Sequence, residues 1–153
     1  MFYCKVMFIC LLTGLFTVVA QADEVKPVLI QWHQQACQFI EAEGRDLGYI
    51  STTAADCVTI NDRDAKQRLA HRIPLQLKAG HYLFRIYNDD VPYTLGFWLR
   101  GQGLSRLTLP SVSGGGIEAG SFKDYLIYLK PGKYWYSCPL NPTPDYALTV
   151  VSP

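Results

Sequence analysis

Cys138 closes the stretch Tyr134-Trp135-Tyr136-Ser137-Cys138. Extended backbone alternates its side chains, so Tyr134, Tyr136 and Cys138 share one face. A thiol at a strand end can ligate a soft metal as thiolate or pair with a second cysteine. The chain has five cysteines. Cys37 and Cys57 fit a disulfide that closes a loop of about 20 residues, worth on the order of 3 kcal/mol in loop entropy. Pairing of either one with Cys138 stays open at this point.

The three histidines are the other ligand candidates. His33 precedes Cys37 by four positions, a spacing that chelates a metal on a helix and equally suits a surface histidine beside a structural cysteine. His71 lies in a polar segment. His81 opens a strand on the face opposite Tyr82, which points it away from Cys138. Closed metal sites need several convergent N or S ligands. The acidic pairs Asp62/Asp64 and Asp89-Asp90 suit a helix start and a turn. Ser113-Gly114-Gly115-Gly116 is followed by no Lys-Ser/Thr and no helix, so it reads as a loop and not a phosphate cradle. There is no nucleophile elbow and no Cys-His signature. No catalytic residues are assigned, and the chain is expected not to be an enzyme.

The elements that position these groups begin after an export signal. Lys5, the apolar run Val6 to Ala20 and the small-x-small triplet Ala20-Gln21-Ala22 read as a signal peptide over residues 1–22. The run is short for a membrane span, which needs roughly 20 apolar residues. The alternative is an uncleaved anchor. Cleavage removes Lys5, Cys4, Cys10 and both methionines. Residues 23–153 remain as one domain. The whole chain has 14 basic and 13 acidic residues, so losing Lys5 leaves a balanced charge. That excludes the basic excess of a nucleic-acid binder. The expected compartment is the periplasm or the exterior, where disulfides persist and no stable membrane span is kept.

Residues 26–32 and 37–42 read as short strands, although 31–42 also suits a helical turn or two. Residues 44–72 form a polar excursion, with a short surface helix over Asp62 to Ala70. From Ile73 the period becomes two. Tyr82, Phe84 and Ile86 share one face, as do Leu95, Phe97 and Leu99. Further strands follow at Tyr125–Leu129, Tyr134–Cys138 and Tyr146–Val150. Short strands divided by Gly and Pro indicate an all-β, antiparallel sandwich or barrel.

Three stretches in order resemble the cupredoxins. Ile73 to Asn88 gives a strand, a Gly turn and a strand ending in Asn. Val91-Pro92-Tyr93 leads into Gly96 to Gly101. Leu129-Lys130-Pro131-Gly132 leads through Tyr134 and Tyr136 to Cys138 and Pro139. The resemblance covers residues 73–151 and implies an all-β, antiparallel Greek-key β-sandwich with a strand that delivers a copper thiolate at Cys138. The blue copper ligand set is one Cys, two His and a weak axial Met. Tyr93 stands where the family has its first histidine, no histidine follows Cys138, and residues 23–153 hold no methionine. Prolines 139, 142 and 144 stiffen the loop after Cys138. Tyr93, Trp98, Asn141 and Asp145 are the candidate docking surface at that end. The expectation is an exported binding or accessory protein without a cofactor, docking on an unidentified exported redox or metal-handling partner. The alternative is copper bound at an unusual site using Cys138, for copper handling or electron transfer.

Overall fold

The computed structural model describes residues 26–153, so the signal peptide expected over 1–22 lies outside the described residues. Strand β1 (Val28–Gln35) leads through a tight turn to β2 (Gln38–Phe39) and a helical turn α1 (Ile40–Glu43). Helix α2 (Ala54–His71) follows, then β3 (Leu75–Lys78), β4 (Gly80–Asn88) and β5 (Leu95–Gly101). A 3-10 turn at Gly103–Leu107 precedes β6 (Val112–Ile117), β7 (Ser121–Leu129), β8 (Gly132–Ser137) and β9 (Tyr146–Val151).

The strands make two sheets, ordered β2-β1-β4-β7 and β3-β9-β8-β5-β6. Most pairs are antiparallel, while β1–β4 and β3–β9 run parallel. The long excursion between β1 and β4 supplies the crossover that a parallel pair requires. Among the described residues no helix is long and apolar enough to cross a membrane.

The period-two pattern builds the core. Tyr82, Phe84 and Ile86 face inward from β4, and Leu95, Phe97 and Leu99 from β5. Tyr125, Ile127 and Leu129 join from β7, and Tyr134 and Tyr136 from β8. Trp32 sits at the centre, stacked on Tyr136 at 4.4 Å between centroids and tilted against Phe84 at 4.9 Å. Each such side chain contributes about 1.5–3 kcal/mol on burial. His81 is exposed on the opposite face of β4, beside Tyr128.

Residues 37–42 hold both of the readings open in the sequence, a two-residue strand and a helical turn. Two local expectations change. The helix expected over 62–70 starts at Ala54, where the Asp56 carboxylate accepts from the backbone N–H groups of Thr52 (2.8 Å) and Thr53 (2.9 Å). Those bonds satisfy donors that helix geometry leaves open. They also hold the Asp56 carboxyl below its ordinary pKa. The helix is no mere surface excursion, because Cys57 and Arg68 are buried beneath it.

The glycine run is strand β6 rather than a loop. It sits where added side chains would be crowded. A Cβ on Gly114 would come within 3.1 Å of the Tyr125 ring, and one on Gly115 within 3.2 Å of Leu140. Glycine is selected there by close approach.

Candidate functional site

Strand β8 delivers Cys138 to one end of the sandwich, as the alternation requires. Its thiol is 1% exposed. The sulfur accepts from the backbone N–H of Gly96 at 3.3 Å and of Asn141 at 3.2 Å. Burial pushes the thiol pKa up, against the opposing pull of those N–H groups. The thiol is therefore neutral at physiological pH and shielded from reagents.

Tyr93 and Asn141 are hydrogen-bonded to each other at this end of the sandwich. Tyr93 is placed by Asn88, whose Oδ1 accepts from the Val91 N–H (2.9 Å) and whose amide donates to the Val91 and Tyr93 carbonyls (3.2 Å each). The Tyr93 hydroxyl meets Ser51 Oγ at 2.8 Å and donates to Asn141 Oδ1 at 3.2 Å. Burial raises the Tyr93 pKa. Asn141 is completely buried. Its Oδ1 accepts from the Cys37 N–H at 2.8 Å, and its amide donates to the Gln35 carbonyl at 2.8 Å. The sequence placed Asn141 on a docking surface. The structure corrects that: the side chain is buried, and its carboxamide is consumed by the Cys37 and Gln35 backbone groups.

Cys37 is bonded to Cys57, which settles the open pairing and leaves Cys138 as the free cysteine among the described residues. Cys37 is also the one non-glycine residue described with positive φ, at 63°. Such a conformation persists only where the surroundings over-determine it. Here the disulfide holds the side chain, Asn141 holds the N–H, and the Arg68 guanidinium donates to the carbonyl at 2.9 Å. Arg68 also donates to Glu43 Oε1 (2.8 Å), Asn61 Oδ1 (2.7 Å) and the Tyr146 hydroxyl (2.9 Å). The Asn61 amide donates to the Pro142 carbonyl. The disulfide-tethered segment is thereby bolted to the Cys138 loop from both sides.

Sequence reasoning missed Arg68, Glu43 and Asn61. Nothing in a polar helix marks which arginine turns inward. It also missed the buried role of Asn141.

The other predicted site residues fall elsewhere. His33 lies on strand β1, not on a helix, with Nδ1 2.8 Å from Asp89 and its ring stacked on Tyr87. It makes no chelate with Cys37, whose sulfur is in the disulfide. His71 ends α2 and bonds the Gln67 carbonyl. Trp98 is half-buried beneath the Arg100 guanidinium, 3.8 Å from ring centre to Cζ, and Arg100 donates to Asp145 at 2.7 Å. Trp98 and Asp145 thus form one braced surface feature, while Tyr93 and Asn141 form the plug.

The donors around Cys138 do not fit a blue copper centre. They are a phenol, a carboxamide already bonded to two backbone groups, and Gln34, whose Nε2 donates to the Gly96 carbonyl at 2.9 Å. Gln34 Oε1 is buried without a partner among the described residues, but one amide oxygen does not replace two imidazoles. Among the described residues no three His, Cys, Asp or Glu side chains gather as metal ligands.

Comparison with known proteins yields structural neighbours. Auracyanin B superposes with a TM-score of 0.50 at 12% identity, covering 85% of this chain and 93% of its own. The fold is cupredoxin-like. Variants of amicyanin, one of them a reduced Cu(I) form, match 51% of this chain and 69% of theirs at 17% identity and a TM-score of 0.37. No family model and no curated protein matches the chain. In this cupredoxin-like sandwich strand β8 leads into Cys138, and hydrogen bonds and a disulfide tie together the loops at that end.

Proposed function

We propose that this chain is an exported binding or accessory protein that has given up the conventional blue copper site. It docks on a periplasmic or extracellular partner that handles redox chemistry or metal. The observation that carries the reading is the plug: Tyr93 and Asn141 are spent on Ser51, Cys37 and Gln35 rather than left free as ligands. The free thiol among the described residues is buried with its pKa raised, which does not suit a nucleophile.

The docking face lies beside the plug. Trp98, Gly114, Gly115, Pro139 and Leu140 line a groove of about 260 Å³. Leu140 is 45% exposed and Trp98 is braced by Arg100 and Asp145. A rigid apolar face loses little entropy on binding. It suits an apolar side chain of a protein partner, with the Arg100–Asp145 pair at its rim.

The test is site-specific photo-crosslinking in the exported compartment of the native cell. A crosslinker at Leu140 or Trp98 is expected to capture one defined partner, and one at Gln76 on edge strand β3 is not. Equal capture from both places, or from neither, contradicts the proposal.

A further inference from the structure

A cavity of about 550 Å³ lies between residues 43–49 and the C-terminal half of α2, apart from the groove at Trp98. Its size falls in the range of small-molecule sites. Its floor is the Glu43–Arg68 ion pair, 2.8 Å long, with each side chain only 5% exposed. Leu47 and the ring of Tyr49 supply an apolar wall, and the Arg68 guanidinium lies over that ring at 5.1 Å. The Tyr49 hydroxyl is fixed by Asp64 at 3.0 Å.

The free valences of this cavity have opposite signs at opposite depths. Glu43 Oε1 is spent on Arg68 and on the Tyr146 hydroxyl (2.5 Å). Glu43 Oε2 has no protein partner among the described residues, and it belongs to a nearly buried carboxylate that lines the cavity. Arg45, at the rim, is exposed and makes no ion pair among the described residues. His71, also at the rim, bonds the Gln67 carbonyl through Nδ1, which leaves Nε2 facing outward from that bond. A deep carboxylate oxygen calls for a cationic donor, and the rim guanidinium for an anionic acceptor. The apolar wall calls for a hydrophobic substituent.

We propose that this cavity binds a free α-amino acid with an apolar or aromatic side chain. Its ammonium bonds Glu43 Oε2, its carboxylate meets Arg45, and its side chain lies against Leu47 and Tyr49. A peptide N-terminus would offer the ammonium but no α-carboxylate, which the cavity discriminates through Arg45.

The test uses the folded chain and three probes: L-phenylalanine, L-phenylalaninamide and 3-phenylpropanoate. Binding is followed by calorimetry and by amide chemical shifts. Phenylalanine is expected to bind saturably, with shifts confined to residues 43–49 and 61–71. The amide and the propanoate each lose one charged contact and are expected to bind about tenfold or more weakly. Arg45→Ala, an exposed change, is expected to weaken phenylalanine about tenfold and to leave the amide unaffected. Absence of saturable phenylalanine binding overturns the proposal. So does equal binding of the three probes, as does an unchanged affinity in Arg45→Ala.

Discussion

The Cys37 amide nitrogen lies 2.8 Å from Asn141 Oδ1, across 104 residues of chain. That bond joins the disulfide turn to the loop after Cys138. Asn141→Ala leaves the buried Cys37 N–H and the Gln35 carbonyl unpaired. Each such loss costs roughly 1–3 kcal/mol. The expected outcome is a folded protein about 2–4 kcal/mol less stable, read as a lower denaturant midpoint at unchanged m-value.

Arg68 and Glu43 form a buried ion pair, and removing one partner strands the other's charge. Arg68→Ala is expected to cost about 3–5 kcal/mol. Arg68→Met combined with Glu43→Gln leaves no unpaired charge and is expected to recover part of that loss. Chemical denaturation of the single and double variants measures the difference. A double variant no better than the single would show that the ion pair's charge is not what the site depends on.

Burial raises the pKa of Tyr125 from 10.0 to about 12 and moves Tyr136 and Tyr146 up as well. A group whose folded pKa is raised stabilises fully below its unfolded pKa. That share is lost as pH climbs toward the folded value. Stability is therefore expected to hold to about pH 10 and to fall from there toward pH 12. Tyr125→Phe is expected to flatten the decline. Denaturant midpoints between pH 8 and pH 11.5 in both proteins give the reading.

Cys138 is buried and neutral, so iodoacetamide reaches it only through opening of the fold. Alkylation of the native protein is expected to follow the opening equilibrium, orders of magnitude slower than in denaturant. Mass spectrometry of timed samples reports the rate. Fast modification of the folded protein would mean that the thiol is not shielded.

The inward faces of β4, β5, β7 and β8 were legible because half-buried strands write their burial at every second residue. The Cys37–Cys57 bridge was legible as the better of several pairings. The order of the three stretches pointed to the cupredoxin-like sandwich. Strand β6 was not legible, because Ser113-Gly114-Gly115-Gly116 has no side-chain alternation and its glycines answer to Tyr125 and Leu140, remote in sequence. The full length of α2 was hidden for a related reason. Its first turns are held by Asp56 and by the disulfide rather than by an apolar stripe. Asn141 misled because a polar residue among prolines looks exposed, and only the fold shows the backbone groups that bury it.

The central claim is that hydrogen bonds and a disulfide occupy the end of the sandwich that ordinary blue copper ligands would need. Loading residues 23–153 with Cu(II) or Cu(I), beside Cys138→Ser, tests it most directly. The account predicts no stoichiometric copper and no thiolate-to-copper absorption in either protein. Stoichiometric copper with that absorption in the wild type, lost in Cys138→Ser, would contradict it.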